Sequence, residues 1–239
     1  MPAPDPERLA FFLSKGMAKA IYDYQMIAPG DRMAVGTSGG KDSLALLALL
    51  ARWRRYSPEP FTLGALYFPV QAAGPVPVPE GLEAWVSSLG LTLTVLPVPP
   101  ASWPLTCQRC AALRRRALLE GAAAGGYGQL ALGHHADDLA ATVLINLVKH
   151  GRLDTMAPLR AYRGVTLIRP LVYLPERELA RYARAAGFPV QPSSCPLAPH
   201  TDRARATELL RLALRLSRQA RINLGRAALA ATCPPLRQR

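Results

Sequence analysis

Five short, apolar, strand-like runs recur along the chain, at residues 33–36, 62–67, 91–96, 129–132 and 165–168. Helix-patterned segments lie between them, near 42–56, 79–89, 107–124 and 138–149. A helix between successive strands returns the chain to the end of the sheet from which it started, so neighbouring strands run parallel and both faces are covered. The expectation is an α/β fold built on a parallel five-stranded sheet with helices on both faces. An amphipathic stretch at 6–26, with Leu9, Phe12, Leu13, Met17, Ala20, Ile21 and Tyr24 at helical spacing, precedes the first strand. After Pro170 the pattern changes, and 176–186 and 202–231 read as arginine-studded helices joined by a proline- and serine-rich segment at 187–199. The expected organisation is an N-terminal helix over 1–28, an α/β core over 29–172 and a basic helical region over 173–239. The proline-rich stretches 68–79 and 97–104 read as exposed loops.

Of the 239 residues, 50% are hydrophobic and 19% are charged, enough apolar matter for a sizeable core. No run approaches the ~18 apolar residues of a membrane span. The first residues lack the basic start and apolar stretch of a signal peptide. Four cysteines are too few for a disulfide scaffold. From these features no membrane partner and a cytoplasmic location are expected. The net charge of +13 is unevenly placed: residues 1–100 hold eight basic and eight acidic side chains, whereas 101–239 hold twenty-one and eight. Most of that excess is arginine, whose forked donors match phosphate oxygens. A polyanion partner is expected, nucleic acid ahead of an anionic membrane, with a basic surface kept for solubility as the competing account.

Ser38-Gly39-Gly40-Lys41-Asp42-Ser43 lies between the first strand and its helix. Paired glycines let a backbone approach a ligand closely, and the helix that follows points free amides and its positive dipole end at the loop. Lys41 adds a charge; Ser38 and Ser43 add hydroxyls. The common nucleotide loop needs a glycine where Val35 stands and a hydroxyl residue where Asp42 stands, so this is not that loop. It resembles the pyrophosphate loop of the N-type ATP pyrophosphatases, which implies ATP cleaved between its α and β phosphates, so that AMP is attached to a substrate.

A second segment, Leu132-Gly133-His134-His135-Ala136-Asp137-Asp138, follows a strand and opens a helix, so it falls at the same carboxyl edge of the sheet. Adjacent carboxylates there can hold Mg²⁺ against phosphates or position a nucleophile. Packing or helix capping is an equal account of the two histidines. Cys107 and Cys110 form a C-x2-C at a helix start with Arg109, Arg114, Arg115 and Arg116 alongside; Cys195 and Cys233 stand far off in sequence. Three cysteines suit a [4Fe-4S] cluster with one iron open, where an exogenous sulfide can bind. Zinc completed by His200 or Cys233, and a redox dithiol at Cys107 and Cys110, are the alternatives.

Residues 20–27 running through Gly30-Asp31-Arg32 into the loop resemble the tRNA 2-thiocytidine synthetases. So do Thr106 to Cys110 with the arginines after Leu113, the Gly133-His134-His135 segment, 151–158, Ile168-Arg169-Pro170-Leu171, and Gly187-Phe188-Pro189 with Cys195. The resemblance implies thiolation of cytidine at position 32 of certain tRNAs with ATP, Mg²⁺ and a [4Fe-4S] cluster held by Cys107, Cys110 and Cys195. It also implies ATP bound by residues 38–43 and Gly133, with Lys41, Asp42 and Asp137 as the catalytic set. Arg114, Arg115 and Arg116 are candidate RNA contacts. Expected partners are tRNA and a sulfur donor, either a cysteine desulfurase or free sulfide, with a homodimer as a further expectation. Four positions depart from the family: Phe68 ends a strand where an acidic residue is common, Ala136 replaces an arginine, Thr37 replaces a leucine, and a second C-x2-C is reduced to Ser193-Ser194-Cys195. Rival readings are a lysidine synthetase, a 2-thiouridine enzyme and a non-catalytic RNA-binding protein of the same fold.

Overall fold

The structure, a computed structural model, describes residues 4–191, 195, 197 and 201–235. In chain order it begins with α1 (Pro6–Asp23), β1 (Arg32–Thr37), α2 (Lys41–Trp53) and β2 (Thr62–Tyr67). A two-stranded hairpin, β3 (Val70–Gln71) and β4 (Gly74–Pro75), leads to α3 (Leu82–Ser88), β5 (Leu93–Val95) and α4 (Cys107–Ala124). Then come β6 (Gln129–Ala131), α5 (Ala136–His150), β7 (Leu159–Tyr162) and β8 (Val165–Ile168). The chain closes with α6 (Glu176–Ala185), α7 (Asp202–Leu216) and α8 (Ala220–Thr232). Among the described residues no helix is long and apolar enough to cross a membrane.

The main sheet has the order β5-β2-β1-β6-β8-β7. All five strands expected from the sequence are present and parallel. The sixth, β7, pairs antiparallel with β8 through a turn at Arg163-Gly164, where Gly164 has φ +75°. It escapes a sequence reading because it is a half-exposed edge strand without an apolar run. Likewise the 202–231 stretch is two helices rather than one, broken at Ser217, whose backbone is extended. The helix foreseen at 79–89 starts only at Leu82, after Gly81 in the left-handed region at φ +73°.

Two layers of core hold the sheet. On one face, α2 is buried nearly all round, from Ser43 through Ala51, because α1 and α6 cover its outer side. A helix apolar on every side requires such a second layer. Asp5 caps α1 by accepting from the Glu7 amide at 2.9 Å, and Pro6 fits the first helical turn. On the other face, α4 packs Leu118 and Ala122 against Ala34, Leu66, Phe68 and Leu130. The chain leaves β1 for β2 and β5 on one side, then crosses back to β6 and β8 on the other. The carboxyl ends of β1 and β6 therefore border the point where strand order reverses, where open α/β sheets bind ligands.

Candidate active site

Both sequence segments singled out above meet at that point. Thr37, the last residue of β1, donates its hydroxyl to the Leu66 carbonyl at 2.7 Å and ties the loop base to β2. The loop is braced from within: the Ser38 amide donates to Ser43 Oγ at 3.1 Å, and Ser43 Oγ donates to the Gly40 carbonyl at 2.9 Å. Gly39 has φ +74°, and a Cβ there would lie 2.9 Å from the Pro79 ring, so only glycine fits. Gly40 caps α2 without a side-chain hydrogen bond, which leaves the first amides of the helix for an anion.

The lysine is already paired. Lys41 Nζ lies 2.7 Å from Glu176 Oε1 and 3.0 Å from Asp42 Oδ2. Burial pulls the ammonium pKa down, but the two carboxylates outweigh it and the net shift is upward. Burial pushes Asp42 up, against the pull of His135 and Lys41. Burial acts upward on Glu176 too, yet its hydrogen bond to Lys41 prevails and holds it below the usual carboxylate range. His135, 5% exposed, sets Nε2 3.7 Å from Asp42 Oδ2 and 3.4 Å from Asp138 Oδ2. Asp42, His135 and Glu176 offer ligand atoms within 4.8 Å of one another, the single such group among the described residues. Asp42 Oδ1 is buried with no hydrogen-bond partner. An unpaired carboxylate oxygen beside a second carboxylate suits a hard cation such as Mg²⁺.

Gly133 is fixed by a close approach: a Cβ there would lie 2.9 Å from the Asp42 carbonyl carbon and oxygen. The strand β6 can thus hand its chain directly across the first turn of α2. The two aspartates that follow are engaged differently from Asp42. Asp137 Oδ2 accepts the Glu176 amide at 2.8 Å and so caps α6, while Oδ1 pairs with Arg221 Nε at 2.6 Å. Asp138 Oδ2 accepts the His135 amide at 3.0 Å, and Oδ1 pairs with Arg203. Burial raises the Asp138 pKa, but the charges of His135, Arg203 and His134 prevail and lower it. Arg203 and Arg221 come from α7 and α8, which pack on α5. His134 accepts from buried Arg169 at 3.2 Å; burial first, then that guanidinium, lower its pKa to about 4.

The cysteine helix is anchored at the same edge. Thr106 caps α4 by accepting from the Arg109 amide at 3.3 Å, and the Leu105 amide bonds the Ala72 carbonyl, just past β3, at 2.7 Å. Cys107 is exposed, Cys110 buried and Cys195 half-buried, and none forms a disulfide. Burial pushes the Cys110 thiol up, Arg114 pulls it down, and the charges of Cys195 and Cys107 push it up again, so the three thiols are neighbours. They do not close within 4.8 Å as a trio, whereas zinc at ~2.3 Å from each sulfur would need that. Three thiolate donors are a set that an iron–sulfur cluster can take. Cys233 lies instead by Tyr24 against the main core. Ser193, Ser194 and His200 lie outside the described residues. The Gln191 amide bonds the Gly39 carbonyl at 2.9 Å; Cys195, four residues on, is within about 14 Å of Gln191 by chain length.

The candidate RNA arginines divide. Arg114 donates to the Val70 carbonyl at 2.9 Å, Arg116 pairs with Glu120 at 2.7 Å on an exposed turn, and Arg115 is exposed. Phe68 is 5% exposed and packed under α4. Sequence reasoning missed Glu176 altogether. Its only local signal is its place after Pro175 at a helix start rich in acid, which says nothing of a lysine 135 residues away.

Residues 13–192 match the PP-loop domain family. A tRNA-cytidine(32) 2-sulfurtransferase of Xanthomonas campestris is 42% identical over 196 residues, covering 79% of this chain and 65% of that protein. Another of the same name, from Xanthomonas axonopodis, is 39% identical over 216 residues, covering 85% and 70%. The chain thus spans about two thirds of the length of the curated relatives it matches, 65% for the first. The U34-tRNA thiolase NcsA of Methanococcus maripaludis, solved with its [4Fe-4S] cluster, shares the fold at TM-score 0.75 and 19% identity, covering 95% of this chain and 79% of that one. The site and the fold define a PP-loop protein, and within that class the chain belongs to the tRNA 2-thiocytidine synthetase family.

Proposed function

We propose that this chain is an ATP-dependent tRNA sulfurtransferase that replaces the oxygen at C2 of a cytidine, at position 32, with sulfur. The observation that carries the reading is the pairing of Lys41 with Glu176 and Asp42 at the mouth of the glycine loop. Lys41 is a cation held in reserve. Triphosphate entering beneath the free amides of α2 competes for it, and the lysine moves from carboxylate to phosphate oxygen. Asp42 and Glu176, released together, would hold Mg²⁺, which would neutralise charge on the pyrophosphate that leaves. Glu176 reaches the site from α6, a carboxylate source independent of the strand end at Phe68. Asp137, in the expected catalytic set, supports the site by capping α6 and so setting where Glu176 stands.

AMP carried on the C2 oxygen makes that oxygen a leaving group which sulfide can displace. Cys107, Cys110 and Cys195 would hold a [4Fe-4S] cluster whose fourth iron gives sulfide a place to bind. Sulfide, free or passed on by a cysteine desulfurase, is the donor this chemistry requires. The arginine excess of residues 101–239 would track the tRNA backbone, and the target base must be unstacked to enter. Such a protein works with its substrate in the cytoplasm. The test is nucleoside mass spectrometry of bulk tRNA from the source organism with and without the gene. Loss of 2-thiocytidine alone is expected; persistence of 2-thiocytidine with loss of 2-thiouridine or lysidine would overturn the substrate, and no change at all would favour a non-catalytic RNA-binding protein.

A further inference from the structure

The far end of α2 carries a feature that this chemistry does not use. Phe11 and Lys15 of α1 meet Arg52, Trp53 and Tyr56 around a cavity of about 380 Å³. Its walls are open aromatic faces: Phe11 is 49% exposed, Tyr56 71%, and Phe12 beside them 55%. A cation lies over each ring. The Lys15 ammonium is 4.4 Å from the Phe11 centroid, the Arg8 guanidinium 6.0 Å from Phe12, and the Arg52 guanidinium 5.9 Å from Tyr56. Trp53, braced by Tyr22 and Phe61, is a fixed and buried floor. Glu7 is paired with Arg52, while Arg8 and Lys15 have no ion-pair partner among the described residues.

Exposed rings interleaved with cations, of which Arg8 and Lys15 have no ion-pair partner among the described residues, fit unpaired nucleotides, whose bases stack and whose phosphates meet the charges. A paired base offers no free face for such a platform. A second copy of the chain is a poorer match, because a two-fold contact would set these cations against themselves. Resting on the tRNA reading above, we propose that this cavity is a second RNA subsite, which stacks an unpaired nucleotide of the same tRNA whose target base enters the phosphate-loop pocket. The two sites lie at opposite ends of α2, a helix of 13 residues and therefore about 20 Å apart. The nucleotide held here is thus not the one modified.

The test is the double variant Phe11→Ala, Tyr56→Ala in the full chain, with binding of unmodified tRNA and of short oligouridylate both titrated at fixed salt. The account expects both affinities to fall by roughly tenfold or more, with ATP affinity and melting temperature unchanged. A variant that binds both RNAs as wild type does overturns the subsite. So does a wild-type dimer that the variant turns into a monomer in sedimentation, since a second copy then covers the patch. If wild type binds oligouridylate through these rings but not tRNA, the subsite stands and the tRNA reading fails; if it binds neither, both fall.

Discussion

An ammonium gripped by two carboxylates carries no net invitation to phosphate until one grip is loosened, so the residue-level chemistry turns on Lys41, Asp42 and Glu176. Lys41→Ala should abolish ATP-dependent pyrophosphate release, and unchanged release would refute the loop assignment. Glu176→Gln keeps the shape but removes one carboxylate from the Mg²⁺ pair, and should raise the Mg²⁺ needed for half-maximal release at least tenfold; an unmoved Mg²⁺ requirement would remove Glu176 from the site. His134 supplies a pH test. Its imidazole takes up a proton near 6.5 in the unfolded chain but only at about 4 in the folded one. The unfolded state therefore binds more protons in that window, and stability falls as the pH drops through it. His134→Gln should flatten the loss in a melting series from pH 6.5 to 4, whereas an equally steep loss would mean that another group governs it. Lys41, Asp42 and Gly133 were legible in the sequence because loop chemistry is local. Glu176, Arg203 and Arg221 were not, because each meets its partner only after α6, α7 and α8 have packed.

Elements were legible where a regular pattern marks them, even in α4, of whose residues only Cys110, Leu118 and Ala122 are buried. The cysteine helix α4 runs over Cys107–Ala124, the range its pattern predicts, while the half-exposed β7 and the break at Ser217 between α7 and α8 left no periodic mark. The packing of α8 on α5 gives a sharp expectation. Arg221 and Asp137 have side chains only 12% and 15% exposed, so Arg221→Ala leaves a carboxylate buried without its partner, at a cost of about 3–5 kcal/mol. Adding Asp137→Asn should restore much of that stability, and additive losses in thermal melting would show that the pair is not the link between the two helices. Gly133→Ala drives a methyl against the backbone of Asp42. It should cost about 1–3 kcal/mol and weaken ATP binding more than the melting temperature alone accounts for.

Across the whole molecule, the phosphate loop, the acidic start of α5 and the cysteine helix share one edge of the sheet, and the charge excess of +13 falls within residues 101–239. A surface that follows an RNA backbone loses affinity steeply with salt, so tRNA binding should fall at least a hundredfold between about 50 and 200 mM; a flat response would argue against it. Anaerobically purified protein should carry about four irons per chain with matching sulfide, and one zinc per chain would contradict the cysteine assignment. The most direct measurement joins these parts: cluster-loaded protein, unmodified tRNA, Mg²⁺-ATP and sulfide are incubated together, and the digested tRNA is read by mass spectrometry. The account predicts 2-thiocytidine that appears only with ATP and is absent with Lys41→Ala. Cluster-loaded protein that binds the tRNA yet forms no 2-thiocytidine, or forms another modified nucleoside in its place, would contradict it.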